Sequence, residues 1–239
     1  MNEYVPFCGT PPLPSDLWSR WTFDPVLLAG LAVALAAILW RTGPGTRPMP
    51  LVGWALVAIL FVSPLCAASM ALFSARVAQH LLLTLVAAPL LAPLLVRFTP
   101  PPALAATLFG CLFWLWHVPG PYALTLQSDI AYWVMHLSLL GSATYLWAGL
   151  ASSVSQSPFL VALATAGTGA QMTLLAVLLI LSSRLWHPWH ELTTAPYGLS
   201  ALGDQALAGG LMWVAGGLIF VALVGGLTFR FIRQPSQSI

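Results

Sequence analysis

The sequence predicts an all-α, polytopic membrane protein that forms a seven-transmembrane-helix bundle. Apolar residues make up 59% of the 239-residue chain, charged residues make up 6%, and the mean hydropathy is +0.88, whereas charged residues usually form about 25% of a soluble domain. Long stretches carry no charge, and each approaches the roughly 20 apolar residues that a helix needs to cross a bilayer. Proline and glycine cluster between them, as in RTGPGTRPMP and FTPPPA, which is typical of short connections.

The chain is predicted to be one integral membrane domain, residues 1–239. Residues 1–24 form a tail outside the membrane, because this proline-rich start lacks the basic residues of a signal peptide. The helix bundle covers residues 25–232, and residues 233–239 form a cytoplasmic tail. The predicted helices occupy the uncharged ranges 25–40, 51–66, 77–96, 103–118, 130–150, 158–181 and 205–229.

Charged residues predict the orientation of this bundle. Arginines without neighbouring acids follow the first, third and seventh predicted helices, and they are Arg41, Arg47, Arg97, Arg230 and Arg233. Segments enriched in arginine are usually cytoplasmic. All six carboxylates then fall on the other side, so we expect an outer N-terminus and a cytoplasmic C-terminus, as in a bacterial cytoplasmic (inner) membrane.

Composition also argues against several classes of function. All eight basic residues are arginine, so no lysine is present to form a retinal Schiff base. A net charge of +2 gives no indication of nucleic-acid binding, and the lipid bilayer is the expected surrounding. No carboxylate lies near the predicted midplane, where a proton pump or transporter would need one. The absence of paired acids within the predicted helices and of a convincing Ser and His arrangement argues against an intramembrane protease, and we predict that the protein is not an enzyme.

All five histidines fall on the predicted outer side of the bundle. At 1.5 Å per residue, His80 and His136 each lie roughly 9 Å below the outer ends of their helices, so they can face each other. Met172 and Met212 lie at roughly 12 to 15 Å on the same scale, and His117 lies nearer the mouth. Imidazole and thioether groups suit Cu(I), whereas hard ions prefer carboxylates. The sequence therefore predicts a Cu(I) site formed by these five residues.

Other polar residues are candidates for supporting this site. Those that can orient a ligand from behind are Gln79, Asp129, Asp204 and Gln205. Helix capping explains the two aspartates equally well. Residues that can receive copper at the outer entrance are Cys66, Met70, His187 and His190. Whether Cys8 pairs with Cys66 is open at this level.

Two alternatives compete with copper binding. In the first, His80 and His136 are the axial ligands of a b-type haem held between facing helices. In the second, the protein is a metal-free scaffold for a partner protein, and its histidines and methionines only pack.

Several segments carry a family resemblance. FSARVAQHLLLTLVAAPLLA resembles the third-helix signature of the CtaG family of bacterial cytochrome c oxidase assembly factors. Later segments resemble that family's motifs in order, namely WHVPGPYALTL, MHLSLLGSATYLW, AQMTLLAVLLILSSRLW and GLSALGDQALAGGLMWVAGG. The resemblance covers residues 60–225 and implies a role in maturing haem-copper oxidases, with copper as the cargo and an oxidase subunit or its copper-delivery proteins as partners. The matching positions are Gln79, His80, Trp116, His117, Pro119, Tyr122, His136, Met172, Asp204, Gln205, Gly209, Met212 and Trp213.

The chain departs from the family's pattern in two places. Arg76 and Val77 stand where many relatives carry His-Met, which removes two donors and adds a charge that repels a cation. Tyr132, one turn before His136, stands where another histidine would strengthen the site.

Overall fold

The structure is a computed structural model that describes residues 4–98 and 101–233, except the side chains of Val96 and of residues 230–233. The described residues form helices and no strand. In chain order the helices are α1 (Pro25–Arg41), α2 (Pro48–Val62), α3 (Pro64–Ala71), α4 (Phe73–Leu94), α5 (Pro102–His117), α6 (Pro119–Thr125), α7 (Asp129–Ser153), α8 (Pro158–Leu181) and α9 (Ala201–Arg233).

The lengths of these helices fit a polytopic membrane protein. Among the described residues, α4, α7, α8 and α9 are each long and apolar enough to cross a membrane. The bent pairs α2 with α3 and α5 with α6 raise the number of candidate spans to 6 if each pair is one span. Helix α1 is apolar but shorter. Each predicted range thus contains a helix, whereas several predicted boundaries are wrong.

Proline explains two of these corrections. The predicted helix over 51–66 is broken at Ser63, and α3 starts at Pro64 with a bend of 53°. The predicted helix over 103–118 ends at His117, and α6 starts at Pro119 with a bend of 77°. Proline has no N–H to donate and its ring clashes with the preceding turn, so it favours the first position of a new helix.

The third and the last predicted helices also differ from the structure. Helix α4 starts at Phe73 rather than at residue 77, and residues Leu82–Ala87 within it are π-helical. Helix α9 starts at Ala201 rather than at 205 and continues through Arg233, the first residue of the predicted cytoplasmic tail. The rest of that tail, residues 234–239, lies outside the described residues.

The N-terminal tail is folded against the end of the bundle that contains α3 and the start of α7. A disulfide joins Cys8 to Cys66 in α3, which answers the question left open by the sequence. Phe7 stacks on Tyr132 with ring centroids 5.3 Å apart. Tyr4 donates a hydrogen bond of 2.6 Å to Asp129 at the start of α7. Described residues 4–8 therefore cover the outer end of α7.

Small residues allow α8 and α9 to approach closely. A Cβ added to Gly209 in α9 would lie 2.7 Å from the carbonyl oxygen of Ala176 in α8. Helices in membranes commonly pack through such small residues because their backbones can then come near each other. This packing places Met172 of α8 and Met212 of α9 on one cavity.

Candidate metal centre

Helices α4, α5, α7, α8 and α9 line a small cavity within the bundle. Its volume is about 10 Å³, which is about the space that one water molecule needs. Apolar side chains form part of the wall, and the polar or sulfur-containing lining residues include His80, His117, Met172 and Met212. Four of the five donors predicted from the sequence therefore line one cavity.

His80 is the most unusual of these donors. Its side chain is buried, and neither ring nitrogen has a hydrogen-bond partner among the described residues. A neutral imidazole carries one N–H, and leaving a buried donor unpaired costs about 1–3 kcal/mol. Such a group normally has a partner, so an unpaired one calls for an explanation. A ligand in the adjoining cavity would supply the missing partner.

Backbone hydrogen bonds orient two further imidazoles. Nδ1 of His117 lies 2.6 Å from the carbonyl oxygen of Phe113, and Nδ1 of His136 lies 2.9 Å from that of Tyr132. Because a carbonyl only accepts, the network assigns the proton to Nδ1 in both rings. Each Nε2 then keeps a lone pair that can bind a metal.

The three imidazoles form a row that extends beyond the cavity. The ring centroid of His80 lies 6.1 Å from that of His117 and 5.1 Å from that of His136. His136 does not line the cavity itself. Its Nε2 is buried without a partner, and the ring stands behind His80. His80 and His136 therefore face each other, as predicted, but His136 lies outside the cavity.

A glycine of α9 makes room for the thioether of Met172. A Cβ added to Gly216 would lie 3.0 Å from Cε and 3.6 Å from Sδ of Met172. The space that Gly216 leaves for Met172 was not predicted from the sequence. A signal was present, because Gly216 follows Met212 by four residues and therefore lies on the same face of α9.

The types of donor restrict which metals fit. No group of three His, Cys, Asp or Glu side chains suited to a metal ion occurs in the described part of the chain. A site here therefore needs the thioethers of Met172 and Met212 in addition to the imidazoles. Soft thioether ligands select Cu(I), while zinc is bound by thiolate, imidazole and carboxylate.

The residues do not fit the haem alternative. The rings of His80 and His136 meet edge to face at 73°, with centroids 5.1 Å apart. A haem with both as axial ligands needs a slot between them as wide as the macrocycle. The nearby cavity of about 10 Å³ has no such width.

The residues predicted to orient the ligands make other contacts. Asp204 accepts hydrogen bonds from the backbone N–H groups of Phe73, at 2.6 Å, and Ser74, at 3.2 Å, and from the Ser74 hydroxyl. It therefore caps α4, the helix that carries His80, although it lies in α9. Asp129 accepts a hydrogen bond from the Tyr4 hydroxyl and forms none with a candidate ligand among the described residues.

The two glutamines connect helices rather than ligands. Gln79 donates to the carbonyl oxygen of Leu60 in α2 at 2.9 Å. Gln205 accepts from the backbone N–H of Trp186 at 2.8 Å and donates to the carbonyl of Arg184 at 3.2 Å. Gln205 thus holds the outer loop just before His187.

Two predicted entrance residues are already engaged. Cys66 is disulfide-bonded and has no free thiol. The sulfur of Met70 accepts a hydrogen bond of 3.1 Å from Arg76. Arg76 is fully buried and also donates to the hydroxyl of Thr125 at 3.0 Å. It forms no salt bridge within the described residues.

The two histidines of the outer loop differ sharply. His190 has a partner at each ring nitrogen, because Nε2 lies 2.7 Å from the Tyr122 hydroxyl and Nδ1 lies 3.3 Å from the Ala71 carbonyl. Both nitrogens of His187 are buried without a partner, and its ring lies 3.9 Å from that of Tyr122.

Their surroundings keep both rings uncharged. Burial lowers the pKa of His187 to about 2, with smaller contributions from His117, His190 and Arg76. Burial and the charge of Arg76 lower the pKa of His190 to about 3. His187 is therefore a neutral imidazole with a free lone pair, in the segment between α8 and α9.

Comparison with known proteins gives a family. A family model described as "Cytochrome c oxidase caa3 assembly factor (Caa3_CtaG)" matches residues 92–234. The matched range contains His117, His136, Met172 and Met212, and it begins after His80. No curated protein and no solved structure matches this chain significantly.

Proposed function

Because the chain belongs to the Caa3_CtaG family of cytochrome c oxidase assembly factors, we propose that it binds Cu(I) transiently and supplies it to an oxidase subunit. The observation that carries this proposal is the cavity next to His80. Two unpartnered imidazole nitrogens adjoin a space for one small ion, and two thioethers line the same space. Copper is the cargo of this process, and the protein's role is not catalytic.

Each residue has a defined part in the proposed site. His80 and His117 supply nitrogen donors, and Met172 and Met212 supply sulfur donors. His136 is next in the row and takes copper from His80 by ligand exchange. Arg76 acts electrostatically on His80 and His136, and its fixed positive charge opposes a bound cation. This opposition favours release and therefore suits transient binding.

We also propose that copper reaches the cavity past His187. Both nitrogens of His187 lack partners among the described residues, and His117 contributes to the lowered pKa of His187. His190, whose nitrogens are both hydrogen-bonded, instead holds the loop in place.

The proposed setting is a bacterial cytoplasmic membrane that the chain crosses seven times. This number counts α1, the two bent pairs and the four long helices as one span each. The distribution of arginines supports an outer N-terminus. The Cys8–Cys66 disulfide supports the same orientation, because disulfides persist in oxidising compartments outside the cytoplasm.

Metal uptake by the purified protein tests the central proposal. The detergent-solubilised chain, loaded with Cu(I) under conditions that keep its disulfide intact, should hold about one copper ion, since the cavity has room for one. His80→Ala should abolish uptake without loss of thermal stability, because it removes an imidazole with no hydrogen bonds. His187→Ala should slow loading and leave the final amount unchanged. Elemental analysis and stopped-flow loading measure these quantities.

A methionine elsewhere in the core provides the matched control. Met135 is fully buried in α7 and does not line the cavity. Met172→Leu with Met212→Leu should weaken copper binding, whereas Met135→Leu should not. A protein that takes up no copper, or uptake that is insensitive to His80→Ala, would instead support the scaffold function.

A further inference from the structure

A second hollow lies on the side of the bundle that faces the membrane, between α1 on one side and α2 and α7 on the other. Its volume is about 330 Å³, and its lining includes Gly30, Ala34, Phe61, Leu137 and His136. An adjoining hollow of about 370 Å³ shares Leu31, Ala34, Val57 and Leu140 with it and extends to Trp40 and Arg41. We call the two together the lateral groove. It follows α1 over roughly 20 Å at 1.5 Å per residue.

His136 connects this groove to the metal cavity. Its side chain lines the groove, only 1% of its surface is exposed, and its Nε2 has no hydrogen-bond partner. Its ring centroid lies 5.1 Å from that of His80, which lines the cavity. His136 is therefore the wall between the copper cavity and a groove that opens toward the lipid.

The α1 side of the groove is shaped for the close approach of another helix. Gly30 and Ala34 lie one turn apart on α1, and a Cβ added to Gly30 would meet nothing within 4 Å. Small residues at this spacing allow helices in membranes to pack closely. Trp54 anchors α1 to α2 through a hydrogen bond of 2.9 Å to the Leu31 carbonyl, so the groove keeps its shape.

We propose that the lateral groove docks an apolar transmembrane helix of the oxidase subunit and that His136 passes Cu(I) to it within the membrane. This inference rests on the proposed copper function. An acyl chain would leave Nε2 of His136 unsatisfied in hydrocarbon, where unpaired polar groups are costly. A helix that carries a His side chain at that depth satisfies it, because an imidazole N–H can donate to the Nε2 lone pair. The Cu(I)–Nε2 bond of His136 breaks as the bond to the acceptor side chain forms, and no electron is transferred.

Photo-crosslinking in membranes tests the occupant. A photoreactive amino acid at Gly30 should crosslink to the oxidase subunit when the two are produced together. The matched control is Gly167 in α8, where an added Cβ also meets nothing within 4 Å. Gly167 lines a hollow of about 270 Å³ on another face of the bundle that contains no histidine. Crosslinks from Gly30 to lipid only, or equal crosslinking from Gly167, would overturn the proposal.

Filling the groove separates docking from copper binding. Gly30→Leu with Ala34→Leu should abolish the crosslink from Leu137, on the opposite wall, and should abolish copper delivery to the subunit. The purified variant should still bind as much Cu(I) as the wild type. Gly167→Leu should change none of these readouts. Normal copper delivery by the Gly30→Leu, Ala34→Leu variant would refute the docking proposal and leave the proposed function standing. Failure of the wild type to bind copper would refute the proposed function itself.

Discussion

A buried imidazole without hydrogen-bond partners is expensive inside a membrane, and His80 carries two such nitrogens. His190 is an ordinary buried histidine, because each of its ring nitrogens has a hydrogen-bond partner. The sequence does not reveal which of these two histidines has hydrogen-bond partners, since the partners of His190 come from residues 68 and 119 positions away. The sequence does predict depth, because helical rise is fixed, and His80, Met172 and Met212 do meet.

The predicted entrance at the end of α3 shows where residue-level reasoning fails. Cys66 and Met70 are four residues apart and both are buried, as their helical spacing suggests. Their chemistry depends on Cys8 and Arg76, which engage the two sulfurs. Spacing along one helix does not reveal partners that other segments contribute.

Adding one methyl group at Gly216 tests whether the thioether of Met172 binds copper. Gly216→Ala places a Cβ 3.0 Å from Cε of Met172, so the thioether must move. Because overpacking typically costs 1–3 kcal/mol, we expect Cu(I) affinity to fall about tenfold, equivalent to roughly 1.4 kcal/mol. Competition with a chromophoric Cu(I) chelator measures the affinity.

The neighbouring glycine is the control. A Cβ on Gly217 would lie 3.9 Å from its nearest neighbour, Cδ1 of Trp213, which is an ordinary contact. Gly217→Ala makes the same change of helix propensity and should leave copper affinity unchanged. Equal effects of the two substitutions would argue against a role for Met172.

At the scale of elements, α4 is held by a cap from another helix. An aspartate near a helix start predicts a cap on its own helix, as Asp24 provides for α1. Asp204 instead accepts from the first residues of α4, 130 residues earlier in the chain. A cap contributed across the bundle is a tertiary contact, so the local sequence pattern cannot reveal it.

Asp204→Asn tests this cap. Hydrogen bonds to charged groups contribute about 1.5–3 kcal/mol each, so we expect a clear loss of thermal stability in detergent. Copper affinity should fall with it, since the first turn of α4 positions His80. Asp24→Asn should change the stability little, because asparagine is as good an N-cap as aspartate, and should leave copper binding intact. An Asp204→Asn protein with wild-type stability would contradict this reading.

The sequence predicts where the helices lie better than it predicts where they bend at proline. The charge-free ranges located every long helix, because hydrophobicity alone selects segments for the bilayer. They did not mark the bends at Pro64 and Pro119, since neither proline introduces a charge into its uncharged stretch. The bend after His117 matters for the site, because it ends α5 at a candidate ligand.

At the scale of the whole molecule, the disulfide and the contacts of the N-terminal tail join this tail to α3 and α7. Cys8 and Cys66 are 58 residues apart, and both sulfurs lie near the Tyr132 hydroxyl, at 3.1 and 3.6 Å. The sequence predicted residues 1–24 as an outer tail without predicting its contacts. Those contacts depend on the three-dimensional positions of α3 and α7.

The proposed seven crossings place the two termini on opposite sides of the membrane, whereas four or six crossings place them on the same side. With epitope tags at both ends, protease added to spheroplasts should remove the N-terminal tag. It should reach the C-terminal tag only after lysis. Simultaneous loss of both tags in intact spheroplasts would contradict the orientation derived from the arginines.

X-ray absorption spectroscopy of the Cu(I)-loaded protein tests the central claim most directly, because it reports the atoms bound to copper. The account predicts a mixed shell of nitrogen and sulfur, from the imidazoles and thioethers that line the cavity. The sulfur contribution should disappear in the Met172→Leu, Met212→Leu protein with its disulfide intact. A wild-type shell that contains sulfur alone or nitrogen alone, or one that is unchanged in this variant, would contradict it.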